Sequence, residues 1–272
     1  MAKKRILYVS QEINPYLEDS EIARASLALP KKMNERGHEI RVFMPRFGVI
    51  NERRHQLHEV IRLSGINIIV NDMDQPLIIK VASVPSARLQ VYFIDNDEYF
   101  KRKAVFFDDR GQFFTDNDER ALFFCRGVVE TVRKLGWAPD IIHCHGWMTA
   151  LLPLYLRRFY ADDPLFSETR VVTSVYHFDY CDRFSDKLLK SLAFDGIPAE
   201  DIAHLADGDV GCMNKLGVLY SDAVLRHGIL PNDLNQWVEA HHPDSMHVTD
   251  LKEQMPAIEE LYASVGERAL AL

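Results

Sequence analysis

Two phosphate-binding signatures are missing from this chain. Neither G-x-G-x-x-G nor G-x-x-x-x-G-K-[ST] occurs in its 272 residues, which excludes the glycine turns of ordinary dinucleotide-binding dehydrogenases and P-loop kinases. Positive charge is also short. Lys and Arg number 32 against 40 Asp and Glu, a net charge of -8, and a sequence-independent nucleic-acid binder needs a cationic footprint instead. The four cysteines, Cys125, Cys144, Cys181 and Cys212, show no C-x-x-C spacing. Three of them sit in apolar or helical contexts, where a free thiol packs as a small hydrophobe, and a reducing cytoplasm is the expected compartment. The basic start is followed by an apolar run only from Ile6 to Ser10. That is too short for a secretion signal or a membrane span, so neither export nor a membrane partner is expected.

What is present is a strand and helix rhythm. With 47% apolar and 26% charged residues, the chain has the composition of a globular protein with a substantial core. Arg5 to Gln11 is apolar without alternation, which suits a strand buried on both faces. Ile22, Ala25, Leu29 and Met33 follow at helical spacing, with Asp19 or Ser20 as N-cap, Gly37 beyond the end, and Pro30 expected to bend or divide the helix. His38 to Pro45 completes a βαβ unit. Val60 to Val70, Pro76 to Val84 and Leu89 to Ile94 read as three successive strands, a β-rich insertion.

The rhythm then resumes. A helix is predicted over Asn117 to Leu135, a strand over Asp140 to His145, a helix over Trp147 to Phe159 and a strand over Thr169 to His177. Helices near Ser185 to Leu192 and Val210 to Tyr220, a strand over Ala223 to Arg226 and a last helix over Met255 to Leu270 follow, with no strand expected in the tail. The fold class is α/β: one domain over residues 1–272 with a doubly wound, mostly parallel Rossmann-like sheet.

Chemistry concentrates at Asp140-Ile141-Ile142-His143-Cys144-His145-Gly146-Trp147, a buried strand that delivers an imidazole to its carboxyl end, where open α/β sheets bind ligands. His143 and His145 share one face. They fit two metal ligands, although no third is recognisable nearby, or a structural polar pair, or a ligand-facing His145 suited to acid, base or hydrogen-bonding work. Trp147 suits either a sugar face or the core.

Six stretches carry a family resemblance. Ile6 to Glu12, Leu29-Pro30, Gly37 to Gly48, Val91 to Phe100, Asp116 to Phe123 and Asp140 to Trp147 follow in the order of the N-terminal catalytic domain of bacterial glycogen/starch synthases, which the chain resembles over most of its first 180 residues. The resemblance implies one half of a two-Rossmann-domain glycosyltransferase that moves glucose from ADP-glucose to an α-1,4-glucan, with no cofactor and no metal. The family's H-x-H-D-W stands here as His143-Cys144-His145-Gly146-Trp147, making His145 the implied catalytic residue. Glu12 matches a family Glu, a family H-N pair aligns with Tyr176-His177, and a T-V-S-P run is replaced by Leu225-Arg226-His227-Gly228. Glu12, Trp147, Tyr176 and His177 are therefore the implied substrate contacts.

One segment departs from the pattern. The family's donor-phosphate loop, K-T-G-G-L, aligns with Glu18-Asp19-Ser20-Glu21-Ile22. Three carboxylates replace a lysine and open backbone N–H groups, and a carboxylate about 4 Å from a phosphate charge costs on the order of 4 kcal/mol at an effective dielectric of 20. The same carboxylates also suit a solvated helix start matched to its dipole. The implied partners are an α-glucan or nucleotide sugar, plus a protein supplying or replacing the donor domain, for which 272 residues leave no room. The expectations are a glycosyltransferase half inactive alone, a non-catalytic glucan- or protein-binding descendant, or, third, a metal-dependent hydrolase on His143 and His145. Glu12, His145 and Tyr176-His177 are expected near one sheet edge.

Overall fold

A computed structural model describes residues 3–178, 182–185, 187–205 and 208–267. Cys181 and the predicted helix residues 268–270 lie outside them. In chain order the elements are β1 (Arg5–Ser10), α1 (Glu21–Glu35), β2 (Glu39–Pro45), α2 (Glu52–His55), β3 (His58–Glu59), β4 (Ile66–Val70), β5 (Met73–Val84), β6 (Leu89–Asp95), α3 (Asp97–Phe100) and α4 (Asn117–Leu135). Then come β7 (Ile141–His145), a 3-10 turn at Trp147–Thr149, α5 (Leu151–Phe159), β8 (Arg170–Val175), α6 (Lys187–Phe194), a second 3-10 segment at Ala199–Leu205 and α7 (Val210–Leu219). The last are β9 (Ala223–His227), α8 (Asn232–His241), β10 (Met246–Val248) and α9 (Met255–Glu267).

The strands form one sheet in the order β10-β9-β8-β7-β1-β2-β6-β5-β3, with β4 paired to β5. Pairing is parallel from β10 to β6 and antiparallel around β5, so the α/β class and the β-rich insertion both hold. The chain winds outward in one direction from β1 to β2 and returns to β1's other side with β7. The carboxyl ends of β1 and β7 therefore flank the switch point, the crevice where such sheets bind ligands.

Local chemistry explains the elements nearest that crevice. β1 is buried along nearly its whole length, as an unalternating apolar run requires. Ser20 caps α1 in extended conformation, its Oγ accepting from Ala23 N–H at 3.0 Å. Pro30 does not divide α1: the ring is buried with Leu29 and Met33, and packing outweighs the backbone hydrogen bond that proline removes.

Several expectations are corrected. The strand predicted from Val60 begins at Ile66, because Leu63 and Ser64 N–H turn back to the Val60 carbonyl. The helix predicted from Trp147 opens as a 3-10 turn and becomes α-helical at Leu151. The tail does hold a strand, β10, parallel to β9, and a helix, α8. Three residues are too few for a side-chain period to show.

Candidate functional site

The crevice at the ends of β1, β7 and β8 holds a pocket of about 210 Å³ whose lining includes Gln11, Glu12, Ser20, Glu21, Trp147, Tyr176, His177 and Asn214. A larger groove of about 660 Å³ shares Glu12 and Ser20 with it and continues past Glu18 and Asp19 to Tyr16, Arg54 and Phe106. Loops far apart in sequence thus meet at one sheet edge. Among the described residues lining the first pocket there is no Lys or Arg, whereas Glu12 and Glu21 are both present.

A chain of hydrogen bonds stiffens this wall. Gln11 Nε2 donates to Glu12 Oε1 at 2.9 Å, Ser20 Oγ donates to Glu12 Oε2 at 2.5 Å, and Ser20 Oγ also receives Ala23 N–H. Gln11 Oε1 accepts from Met148 N–H at 3.3 Å, so one glutamine joins the start of the turn after β7 to the carboxylate that faces α1. Asp19 binds Arg24 Nη1 at 2.6 Å and Asn14 Nδ2 at 2.9 Å. Glu21 opens the first turn of α1. Ser20 and Glu21 thereby make a capped helix start with an acidic first turn.

His145 is placed differently from the sequence-based expectation of a ligand-facing group. It is fully buried and stands behind the pocket wall: its Nδ1 bonds the Tyr176 hydroxyl at 2.7 Å, and its Nε2 is buried without a hydrogen-bond partner. Tyr176 is the residue between imidazole and pocket. Trp147 is 2% exposed, with its ring packed against Phe106 and Phe184. From that packed position it lines the pocket. His177 is exposed, and its Nδ1 bonds the Ile229 carbonyl at 2.9 Å.

Behind the wall lies a polar network that the motif reading did not anticipate. His143 Nδ1 meets Tyr262 Oη at 2.6 Å and His143 Nε2 meets Ser174 Oγ at 2.8 Å. Ser174 Oγ also meets His227 Nε2 at 3.0 Å, and Tyr262 Oη meets Tyr8 Oη at 3.1 Å. Tyr176 joins the network through His145. Burial, reinforced by the neighbouring imidazoles, holds His143 and His145 well below the ordinary histidine range and brings His227 down to about 3. With both ring nitrogens of His143 taken by hydroxyls, the two strand histidines do not present a paired metal site. No group of three His, Cys, Asp or Glu suited to a metal occurs among the described residues. His227 was visible in sequence only as a departure from T-V-S-P, and Tyr262 carried no signal.

A doubly wound, mostly parallel sheet with a pocket at its switch point defines a Rossmann-like domain. Residues 5–226 match the family model described as "Starch synthase catalytic domain", and the chain belongs to that family. It is 42% identical over 174 residues to a glycogen synthase of Chlorobium limicola, covering 64% of this chain and 36% of that protein. With a glycogen synthase of Pelodictyon phaeoclathratiforme it shares 32% over 251 residues, 87% of this chain and 50% of the relative. The catalytic domain of starch synthase IV from Arabidopsis thaliana, solved bound to ADP and acarbose, superposes with a TM-score of 0.75 at 17% identity, covering 92% of this chain and 52% of that one; this likeness shows the fold. The chain spans about half, or less, of the length of these relatives. Among the described residues no helix is long and apolar enough to cross a membrane.

Proposed function

We propose that these residues form the acceptor-side domain of a glycogen/starch-synthase-type glycosyltransferase whose pocket receives the hydroxyls of an α-glucan and does not by itself hold the diphosphate of ADP-glucose. One observation carries this reading: two carboxylates and no Lys or Arg among the described pocket lining. An anionic wall repels phosphate, whereas carboxylates, a tyrosine and an imidazole are good partners for neutral hydroxyls. Ser20 Oγ also occupies an N–H at the start of α1 that an open glycine loop would turn toward an anion. Glucosyl transfer then requires a donor-side domain, on the same polypeptide or on a protein partner. The buried free thiols of Cys125, Cys144 and Cys212 fit a cytoplasmic setting.

A second reading, a non-catalytic glucan- or protein-binding descendant, is favoured by the burial of His145, the residue to which the resemblance assigns catalysis. Calorimetry with maltoheptaose and with ADP-glucose, together with a glucosyl-transfer assay on glycogen with and without an added donor-side domain from a relative, tests both. Binding of maltoheptaose without ADP-glucose, and transfer only when the added domain is present, is the expected outcome. Micromolar ADP-glucose binding by these residues alone contradicts the proposal, and absence of transfer in every combination selects the non-catalytic reading.

A further inference from the structure

Among the described residues, the buried network behind the pocket has no carboxylate in it. From β1 it takes Tyr8, from β7 His143 and His145, from β8 Ser174, from the residue after β8 Tyr176, from β9 His227 and from α9 Tyr262. The rings of His143 and His145 are 4.0 Å apart, and Tyr176 stacks on His227 at 4.3 Å. The charged groups around it lie at its margins. Glu12 and Glu21 face Tyr176 from the pocket side, and His247 of β10 faces His227. On the flank of α9, Glu259 pairs with Arg36 at 3.6 Å and faces His38, whose Nδ1 accepts from Lys4 N–H at 3.1 Å. None of these carboxylates is hydrogen-bonded to an imidazole of the network, so a proton added there has no anion to meet.

α9 is the one helix of this assembly. It buries Met255, Ile258, Tyr262 and Val265, one stripe at helical spacing. The Tyr262 hydroxyl bonds both Tyr8 and His143. The other network members sit on β1, β7, β8 and β9 or, for Tyr176, directly after β8. Water therefore reaches the imidazoles most cheaply by local opening of α9, not by parting the sheet.

We propose that α9 is an acid-released brace: a helix held over this network while its imidazoles are neutral, and lifted from it when they take up protons. Because Tyr176 belongs to both the network and the pocket wall, release of α9 loosens the pocket from behind. The inference rests on the geometry of face and helix and is independent of which ligand the pocket takes.

Hydrogen exchange measured by mass spectrometry between pH 5 and 7.5, corrected for intrinsic rates, tests it. For each imidazole protonated on opening, the opening constant of α9 rises about tenfold per pH unit below about 6.5. Peptides covering 255–267 are expected to lose protection by at least that factor between pH 6.5 and 5.5, and to stay less protected than peptides of α4 (Asn117–Leu135) at every pH, because α4 exchanges only by global unfolding. His143→Gln, which cannot take up a proton, should lower the slope by up to tenfold per pH unit, leaving the part due to His145 and His227. Tyr262→Phe, which removes the hydroxyl contacts, should raise opening about fivefold at pH 7.5. Equal protection of α9 and α4 at every pH, or no pH dependence in α9, overturns the proposal. If His143→Gln fails to fold, the comparison of α9 with α4 in the unmodified chain decides alone.

Discussion

The side chain of Gln11 fills the space that a Cβ on residue 146 would need: a Cβ built on Gly146 lies 2.3 Å from Gln11 Oε1. Gly146 also has φ 84° and ψ 162°, a conformation close to glycine-only. The aspartate that the family motif carries at this position therefore cannot be restored by one substitution. In its place Gln11 reaches across from the end of β1 and accepts Met148 N–H.

Gly146→Asp is expected to destabilise the chain by roughly 2 to 4 kcal/mol, from backbone strain and overpacking. Adding Gln11→Ala should recover the packing part and leave the backbone part. Urea denaturation of the two single variants and the double variant measures both, and a Gly146→Asp protein as stable as the parent would refute the packing argument.

Acid should weaken the fold through the same three histidines. His143, His145 and His227 have folded values depressed below the ordinary 6.5, so below pH 6.5 the unfolded chain binds more protons than the folded one. Their contribution is fully present above about pH 6.5 and is lost as pH falls toward the folded values, about 3 for His227. Each imidazole contributes a slope of up to about 1.4 kcal/mol per pH unit in that window. Denaturant midpoints at pH 5 and pH 7 check the sign, and equal midpoints count against a neutral buried cluster.

Replacing Glu18-Asp19-Ser20-Glu21 by Lys-Thr-Gly-Gly should produce at most weak phosphate binding and no glucosyl transfer by these residues alone. The exchange adds a cation and frees backbone N–H groups at the start of α1, but it rebuilds one wall only. Positioning of sugar and acceptor is worth roughly 7 to 11 kcal/mol of barrier lowering, which four residues do not supply. Calorimetry with ADP-glucose and a glycogen elongation assay give the answer. Elongation abolished by His145→Ala would mean that the acidic loop alone had silenced an intact active site.

Arg120 is a fourth test point. Its side chain is fully buried, donating from Nε to the Tyr99 carbonyl at 2.9 Å and from Nη1 to the Val105 carbonyl at 2.6 Å and Asn117 Oδ1 at 2.5 Å. Burial lowers the guanidinium to about 9. Arg120→Ala should cost about 3 kcal/mol or more, because it strands buried acceptors and opens a cavity among Phe47, Phe100 and Phe114. Thermal or urea unfolding reads this directly. A loss under 1 kcal/mol would mean that water replaces the guanidinium.

Much of the architecture was legible because its signals are local. The unalternating run of β1, the helical spacing of Ala121, Phe124, Val128 and Val132 in α4, and the buried strand ending at His145 each register within one element, where periodicity reports burial. Glu12, Tyr176 and His177 could be placed at one edge for the same reason: each follows a strand, and parallel strands bring their carboxyl ends together. β10 escaped because three residues hold no period. The sequence by itself determined the α/β winding, the strand ends that make the crevice and the acidic residues before and at the start of α1. Only the tertiary structure decided that His145 lies behind Tyr176 and not on the pocket, that Gln11 stands where Gly146 leaves room, and that Tyr262 closes over His143. The Gln11–Met148 bond of the same wall joins residues 137 positions apart, and a separation of that length is settled by how the layers pack, which no local pattern encodes.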